Sequence, residues 1–348
     1  MKQYDVLFLD FLLFEEHRHF CNSLVNSLIA AGASCFAVTK EDYLDFVEDE
    51  NHVKVYFREE HIPGKNPIDS RLRLLKNMRR SLDLCKGICA KKTILLGYDP
   101  LTYMLIHRRL GNMSKVFLVQ HHQLDEIASS KIKRLCFDYY KKDVNHILVD
   151  KAIVQNVQET FVVTEDQCFV FPIPLAEDTS ILEEKGNYVL GISNSNDEAF
   201  LDALEEMDKA VPLAERTGYR FILRTKKERK STNSIQYIKN RIAYEEYLKL
   251  YSEAGAILMP FPPTYVYRCS GTLVDAVSKG KMVICSEIPL TKYYAKEYPS
   301  LCRVYSDVYD FLSVLEGISD TVDSLELYNF RKDHDSSYLI VCAEHILE

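Results

Sequence analysis

The sequence predicts an α/β protein built from two doubly wound domains facing across a cleft. Three observations carry this reading. Short apolar runs rich in β-type residues alternate with longer segments of helical periodicity, the alternation occurs twice, and a Pro- and charge-rich stretch at 171–187 separates the two series. Strands that are almost continuously apolar and separated by helices belong to parallel sheets covered on both faces. A chain of 348 residues suits two domains of ordinary size.

In the first series the strands are read at YDVLFLD (4–10), SCFAV (34–38), HVKVYF (52–57), TILLG (93–97), KVFLVQHH (115–122), NHILV (145–149), ETFVV (159–163) and QCFVFPIP (167–174). The segment HFCNSLVNSLIAAG reads as a helix ending in a C-cap glycine. Asp99 is placed to cap a helix that has Pro100 in its first turn. The second series runs through YVLGISN (188–194), a helix over 197–218, YRFILRTK (219–226), a helix over 241–254 and GAILMPF (255–261). It continues with a helix from Gly271, MVICSE (282–287), a helix after Pro289 and LCRVY (301–305). The expected boundaries are 1–172 for an N-terminal domain, 173–330 for a second domain, and 331–348 for a terminal helix packing back on the first.

Composition narrows the class. No apolar run approaches the ~20 residues needed to cross a bilayer. The start, MKQYDVLFLDFLLFEEH, carries Asp10 and runs into Glu15 and Glu16, so it reads as a first strand and not a signal peptide. Ten Cys occur with no CxxC pair, and Cys85 and Cys89 lack the partner spacing of a zinc site. Buried thiols in a reducing cytosol are expected. No phosphate loop of the Walker type, His-Glu metal pair or nucleophile elbow is present. No metal site is expected.

The net charge of −8 conceals an asymmetry. Residues 61–142 hold 17 Lys/Arg against 6 Asp/Glu, a local balance of +11 that leaves −19 for the rest. Leu72, Leu75, Met78, Leu82, Cys85 and Cys89 recur at three- and four-residue steps, giving one buried and one basic face. Such a face is either simply solvated or meets anionic phospholipid head groups or a lipid-diphosphate acceptor. An acidic chain without aromatic-basic interleaving argues against nucleic acid.

The segment YRCSGTLVDAVSKGK (267–281) carries the clearest chemistry. A helix start exposes unpaired N–H groups and the positive end of the dipole, which favour phosphate. Ser270 and Gly271 let a ligand approach that backbone, with Thr272 in the same turn, and Arg268 adds a positive fork suited to diphosphate. Asp275, about one turn in, can accept hydrogen bonds from a ribose diol. Alone, Ser-Gly at a helix start is an ordinary cap; its position after a strand of the second series makes it a candidate nucleotide site.

From Arg241 to Glu287 the order is helix, strand, loop, SGTLVDAVSKGK and VICSE. This order resembles the donor-binding half of GT-B glycosyltransferases, especially the large retaining family that uses nucleotide sugars (family 4-like, group 1). In that family a Glu, seven residues, Glu motif spans this loop and helix. Asp275-Ala276 matches the second Glu-Ala, whereas Tyr267 stands where the first Glu would fall, so the motif is degenerate. The resemblance implies Rossmann-like domains for both series. It also implies a His at the end of an N-terminal strand near the donor sugar; His121 and His122 are the candidates, and neighbours on a strand face opposite ways.

Other site residues follow. Arg224 and Lys226 end a strand of the second domain, where they suit the diphosphate and offset leaving-group charge. Gly191, Ser193 and Asn194 follow the first strand of that domain without the Arg and Lys common in relatives. Asp10, His17 and Arg18 are candidates for the acceptor side, or Glu15–His19 simply begins a helix. The resemblance implies a glycosyltransferase that moves a sugar from a nucleotide diphosphate sugar to a glycan or lipid-linked acceptor in surface polysaccharide or glycoconjugate synthesis. It would be retaining and metal-independent, with no cofactor beyond its donor, cytoplasmic and at the inner face of the membrane. Two alternatives remain open: a nucleotide-sugar epimerase, for which Asp10, Glu15 and Asp125 are acid/base candidates, and a non-catalytic nucleotide-binding interaction protein.

Overall fold

A computed structural model describes residues 2–12, 15–57, 66–176, 186–239, 244–318 and 321–348. The chain divides into two compact units, residues 1–174 with 334–348, and residues 175–333. Residues 61–65 of the basic region, 177–185 of the expected linker and 241–243 at the expected start of a helix lie outside the described residues.

The first unit is a seven-stranded sheet, paired in parallel throughout, in the order β3-β2-β1-β4-β5-β6-β7. Its strands are β1 (Lys2–Asp10), β2 (Cys35–Lys40), β3 (His52–Phe57), β4 (Ile88–Gly97), β5 (Lys115–Gln120), β6 (Val144–Leu148) and β7 (Cys168–Val170). Its helices are α1 (Arg18–Ala30), α2 (Pro67–Leu84), α3 (Pro100–Met104), α4 (His107–Gly111), α5 (Gln123–Ser129), α6 (Lys131–Tyr140) and α7 (Val154–Phe161). Central β1 is buried over Val6–Leu9, as a strand covered on both faces must be. The expected caps form: Asp99 Oδ1 accepts from Thr102 N at 2.9 Å, and Gly32 takes φ +89° just beyond α1. The C-terminal helix Ser336–Leu347 packs against α1, and Lys92 Nζ of β4 donates to the carbonyl of Leu347.

The second unit is a six-stranded parallel sheet in the order β10-β9-β8-β11-β12-β13. The strands are β8 (Tyr188–Gly191), β9 (Arg220–Arg224), β10 (Ile235–Ile238), β11 (Ala256–Met259), β12 (Val283–Ser286) and β13 (Cys302–Tyr305). The helices are α8 (Glu198–Ala210), α9 (Leu213–Thr217), α10 (Tyr244–Glu253), α11 (Gly271–Ser278), α12 (Pro289–Glu297), α13 (Val308–Glu316) and α14 (Ser324–Lys332). Val189, Leu201, Leu204, Phe221, Leu258 and Phe311 pack between this sheet and its helices. Each sheet reverses winding direction between its first strand and the fourth, β1/β4 and β8/β11, where α/β sheets open a crevice at the carboxyl ends of the strands.

Four expectations on elements need correction. The series from Leu72 to Cys89 does not form one buried helix face: Leu72 is 61 % exposed, α2 ends at Leu84, Gly87 at φ +84° turns the chain away, and Cys89 lies in β4. ETFVV (159–163) is not a strand: Val157 and Phe161 are buried one turn apart as the inner face of α7, which stops at Val162 in a left-handed conformation (φ +54°). The helix expected over 197–218 breaks at Val211-Pro212 into α8 and α9, because Pro cannot donate within a helix. Strand β10, IQYI, was not anticipated; four residues between polar loops give no periodic signal.

Candidate functional site

The candidate residues of the second unit gather along its carboxyl edge. Gly191 ends β8 where a Cβ would lie 2.8 Å from Leu223 Cδ2 and 3.3 Å from the carbonyl of Leu258, so a side chain here would press on both neighbouring strands. Asn196 Nδ2 then donates to the carbonyls of Gly191 and Arg224, both at 2.8 Å, joining the ends of β8 and β9. Asp197 N donates to the carbonyl of Pro260 at 2.6 Å, tying this loop to the one after β11.

A pocket of about 280 Å³ opens at this edge. Ser193, Asn194 and Asn196 form one wall, and Arg224, Thr225 and Lys226 another; Lys239, beyond β10, completes the cationic lining. Glu198 also borders it, but its carboxylate is occupied. It accepts from Thr225 Oγ1 at 3.0 Å, from Lys226 N at 2.6 Å and from Arg229 Nη2 at 2.8 Å. Burial alone would raise its pKa; the Lys226 N–H and the Arg229 guanidinium hold it below the usual carboxylate range. Arg229, only 5 % exposed, also meets Asp202 at 2.6 Å and Glu205 at 3.0 Å. This network folds the loop after β9 back onto α8. The sequence reading named Arg224, Lys226, Ser193 and Asn194, and missed Asn196, Glu198, Thr225, Arg229 and Lys239.

The residues after β11 form an adjacent group. Arg268 lies over the ring of Tyr265 at 4.3 Å, and Tyr265 stacks on Phe261 with centroids 4.3 Å apart. Ser270 caps α11, its Oγ accepting from Leu273 N at 3.4 Å. Gly271 is exposed, with nothing within 4 Å of the place a Cβ would take, so a ligand can approach the first N–H groups of α11, beside Thr272. The Asp275 carboxylate, 24 % exposed, stands 4.0 Å from Lys279 Nζ one turn on. Lys279 is held in turn over Tyr251, and Tyr251 Oη donates to the carbonyl of Thr272. Residues 268–275 do not line the pocket beside β9; they border the next strand along the same edge.

In the first unit β5 ends at Gln120, short of the two histidines that the sequence placed on it; they lie in the turn into α5, with His122 at its N-cap. His121 is buried: Nε2 donates to the carbonyl of Leu96 at 3.1 Å, leaving Nδ1 as the acceptor of a neutral ring. Its ring stacks on His17, with centroids 3.8 Å apart, and Phe20 meets it edge-on. His122 remains 26 % exposed, with Nε2 3.6 Å from Glu126 Oε1. Asp10, 2 % exposed, accepts from Leu12 N at 2.9 Å and from the Tyr43 hydroxyl. Gly97 on β4 makes room for it, since a Cβ there would lie 2.5 Å from Asp10 Oδ1. Arg18 pairs with Asp45 at 3.1 Å on the surface, and Glu15–His17 form a helical turn that leads into α1. His17, His121 and His122 are therefore brought together, while Asp10 is turned into the protein and Arg18 outward. Among the described residues no three His, Cys, Asp or Glu side chains are grouped to hold a metal ion.

Burial lowers the pKa of His17, with the nearby His122 adding to the effect, to about 4. Burial does the same for His146 on β6, also to about 4, and takes His121 well below its usual value. The unfolded chain protonates near pH 6.5 and the folded one resists, so this stability is full above pH 6.5 and is lost as pH falls toward 4. By pH 5 each of His17 and His146 should cost about 2 kcal/mol. Urea midpoints at pH 7 and 5 check this; His146→Gln should flatten the dependence, and an unchanged slope would contradict it.

No model of a known protein family matches the chain, and no curated protein matches it in sequence. Solved structures do match in fold. Sucrose-phosphate synthase from Thermosynechococcus elongatus aligns with TM-score 0.65 at 10 % identity, covering 97 % of this chain and 96 % of that one. A glycosyltransferase from Rickettsia africae gives 0.61 at 11 %, covering 100 % and 98 %. WaaG, a glycosyltransferase involved in lipopolysaccharide biosynthesis, gives 0.55 at 11 %, covering 98 % and 95 %. The two parallel-sheet units are thus the Rossmann-like units of the GT-B fold.

Proposed function

We propose that the chain is a glycosyltransferase that takes its sugar from a nucleotide diphosphate sugar. The observation that carries this reading is the polar, cationic pocket at the carboxyl edge of the second unit, next to the exposed N-terminus of α11. Arg224, Lys226 and Lys239 supply positive charge for the diphosphate, as does Arg268, whose guanidinium lies over the Tyr265 ring at 4.3 Å. The Ser270–Thr272 turn offers backbone N–H groups to the same phosphates. Asp275, whose carboxylate stands 4.0 Å from Lys279 Nζ, accepts from the ribose hydroxyls. The buried Oδ1 of Asn196 has no hydrogen-bond partner among the described residues, and an N–H or O–H of the nucleotide would satisfy it.

Transfer on this reading rests on positioning and on stabilising the departing diphosphate with fixed positive groups. His17 and His122 are the imidazoles left to meet the sugar or the acceptor, and His121 holds His17 in place by stacking. The acceptor is proposed to be a glycan or lipid-linked glycan in surface polysaccharide synthesis. The excess positive charge of 61–142 supports contact with an anionic membrane. Retention of configuration and independence of metal are part of the proposal.

Nucleotide sugars offered one at a time, with product release followed by NMR, test it. With a glycan acceptor present, release of nucleoside diphosphate from one donor, undiminished by chelator, is expected, and the new glycosidic bond should keep the donor's anomeric configuration. Interconversion of the donor without release would point to an epimerase, and binding without turnover under every acceptor to a non-catalytic nucleotide-binding protein. Asp275→Ala should raise the donor Kd about tenfold while leaving the thermal midpoint near its original value; equal Kd values would remove the ribose role.

A further inference from the structure

On one flank of the first unit α2, α3 and α6 adjoin, and α4 links the outer two: Arg109 reaches Asp83 of α2 at 3.7 Å, and Arg108 meets Tyr139 of α6. The outward stripe of α2 carries Ile68 and Leu72, 70 % and 61 % exposed, and that of α6 carries Ile132 and Leu135, 69 % and 73 % exposed. Single exposed aliphatics are ordinary, but four on the two helices that flank α3 form a pattern. Cations accompany them at helical spacing. Lys76 and Arg79 continue the α2 stripe, Lys131 and Lys142 flank the α6 stripe, and none of the four makes an ion pair among the described residues.

We infer that this face lies on an anionic phospholipid surface, with Ile68, Leu72, Ile132 and Leu135 inserted at the level of the head groups. The inference deepens the reading of a lipid-linked acceptor and rests on it. Aliphatic tips separated by Lys and Arg suit an interface in which methyl groups enter the acyl boundary and charged ends stay among phosphates. α2 carries five Lys/Arg against two Asp and α6 three against one, a positive balance that matches anionic lipid in sign. In a parallel sheet the connecting helices run opposite to the strands, so the first turns of α2 and α6 lie at the carboxyl edge. That edge also holds His121 and His122. A sugar on a membrane-borne lipid would therefore meet the unit where its imidazoles are.

The test is flotation of the full chain with phosphatidylcholine vesicles, with and without phosphatidylglycerol. The chain should float only with the anionic vesicles, and part of that binding should survive high salt. Arg79→Gln with Lys131→Gln should weaken it about tenfold. Ile132→Ser with Leu135→Ser should weaken it about tenfold at low salt and abolish the salt-resistant part. All four sites are exposed, so thermal melts should stay unchanged. Indifference of the native chain to anionic vesicles overturns the inference, as does native-like binding by the Ser variant. Self-association that the Ser variant abolishes without vesicles would make the face a contact between copies instead. Titration of the same preparations with nucleoside diphosphates separates the two readings. Nucleotide binding without flotation sinks the docking alone, and flotation without nucleotide binding sinks the transferase reading alone.

Discussion

Arg224→Ala combined with Lys226→Ala is expected to weaken nucleoside diphosphate binding by about a hundredfold or more. Both side chains line the pocket at the carboxyl end of β9, and the nucleoside diphosphate leaving group would bring two phosphates to it. A charge-assisted hydrogen bond contributes about 1.5–3 kcal/mol when its partner is fixed. Two lost together give about 3 kcal/mol or more, which is about two decades in Kd. The fold should tolerate the change, since neither side chain is part of the buried core. Calorimetry measures the affinity and a thermal melt on the same samples checks the fold. A double variant that binds like the native chain would mean that the diphosphate does not reach β9.

Arg229→Ala should have the largest effect on stability. Its side chain is 5 % exposed and meets Glu198, Asp202 and Glu205, which share one face of α8. Removing one partner of a buried charge network leaves carboxylates desolvated without their counter-charge, at a cost of about 3–5 kcal/mol. Asp202, 52 % exposed, can recover water, so the lower end of that range is expected. The urea transition of the second unit should move to lower concentration while that of the first stays in place. Nucleotide affinity should fall as well, because the Thr225–Lys226 turn is anchored to Glu198 through the same network. Arg229→Lys should recover little of either, since an ammonium cannot span three carboxylates as the fork does. An unshifted transition would show that the network contributes nothing net.

The alternation of strands and helices was legible because each buried strand is an apolar run with turn residues at its ends. β1, β5 and β11 follow that pattern closely. It failed where the signal was ambiguous or absent. ETFVV has strand composition, yet Ile153, Val157 and Phe161 share the helical face that packs inward, and tertiary burial outweighed β propensity. The helix-start residues of the candidate site were readable because caps have local chemistry: Ser270, Gly271 and Asp275 sit within one short stretch. Asn196 and Arg229 were not readable, because their roles come from crossing between strand ends and from a loop folding back on a helix. The sequence likewise left His121 and His122 equivalent. Only the Leu96 carbonyl and the stacked ring of His17 decide that His121 is the buried one.

The most direct test of the central claim, a nucleoside diphosphate site on the carboxyl edge of the second unit, is calorimetric titration of the full chain with UDP, GDP, CDP and ADP. The account predicts that one of the four binds selectively, and that both Asp275→Ala and the Arg224, Lys226 double alanine variant weaken it. Absence of binding by all four, from a chain whose thermal melt shows it folded, would contradict the donor-site assignment and leave the GT-B fold without it.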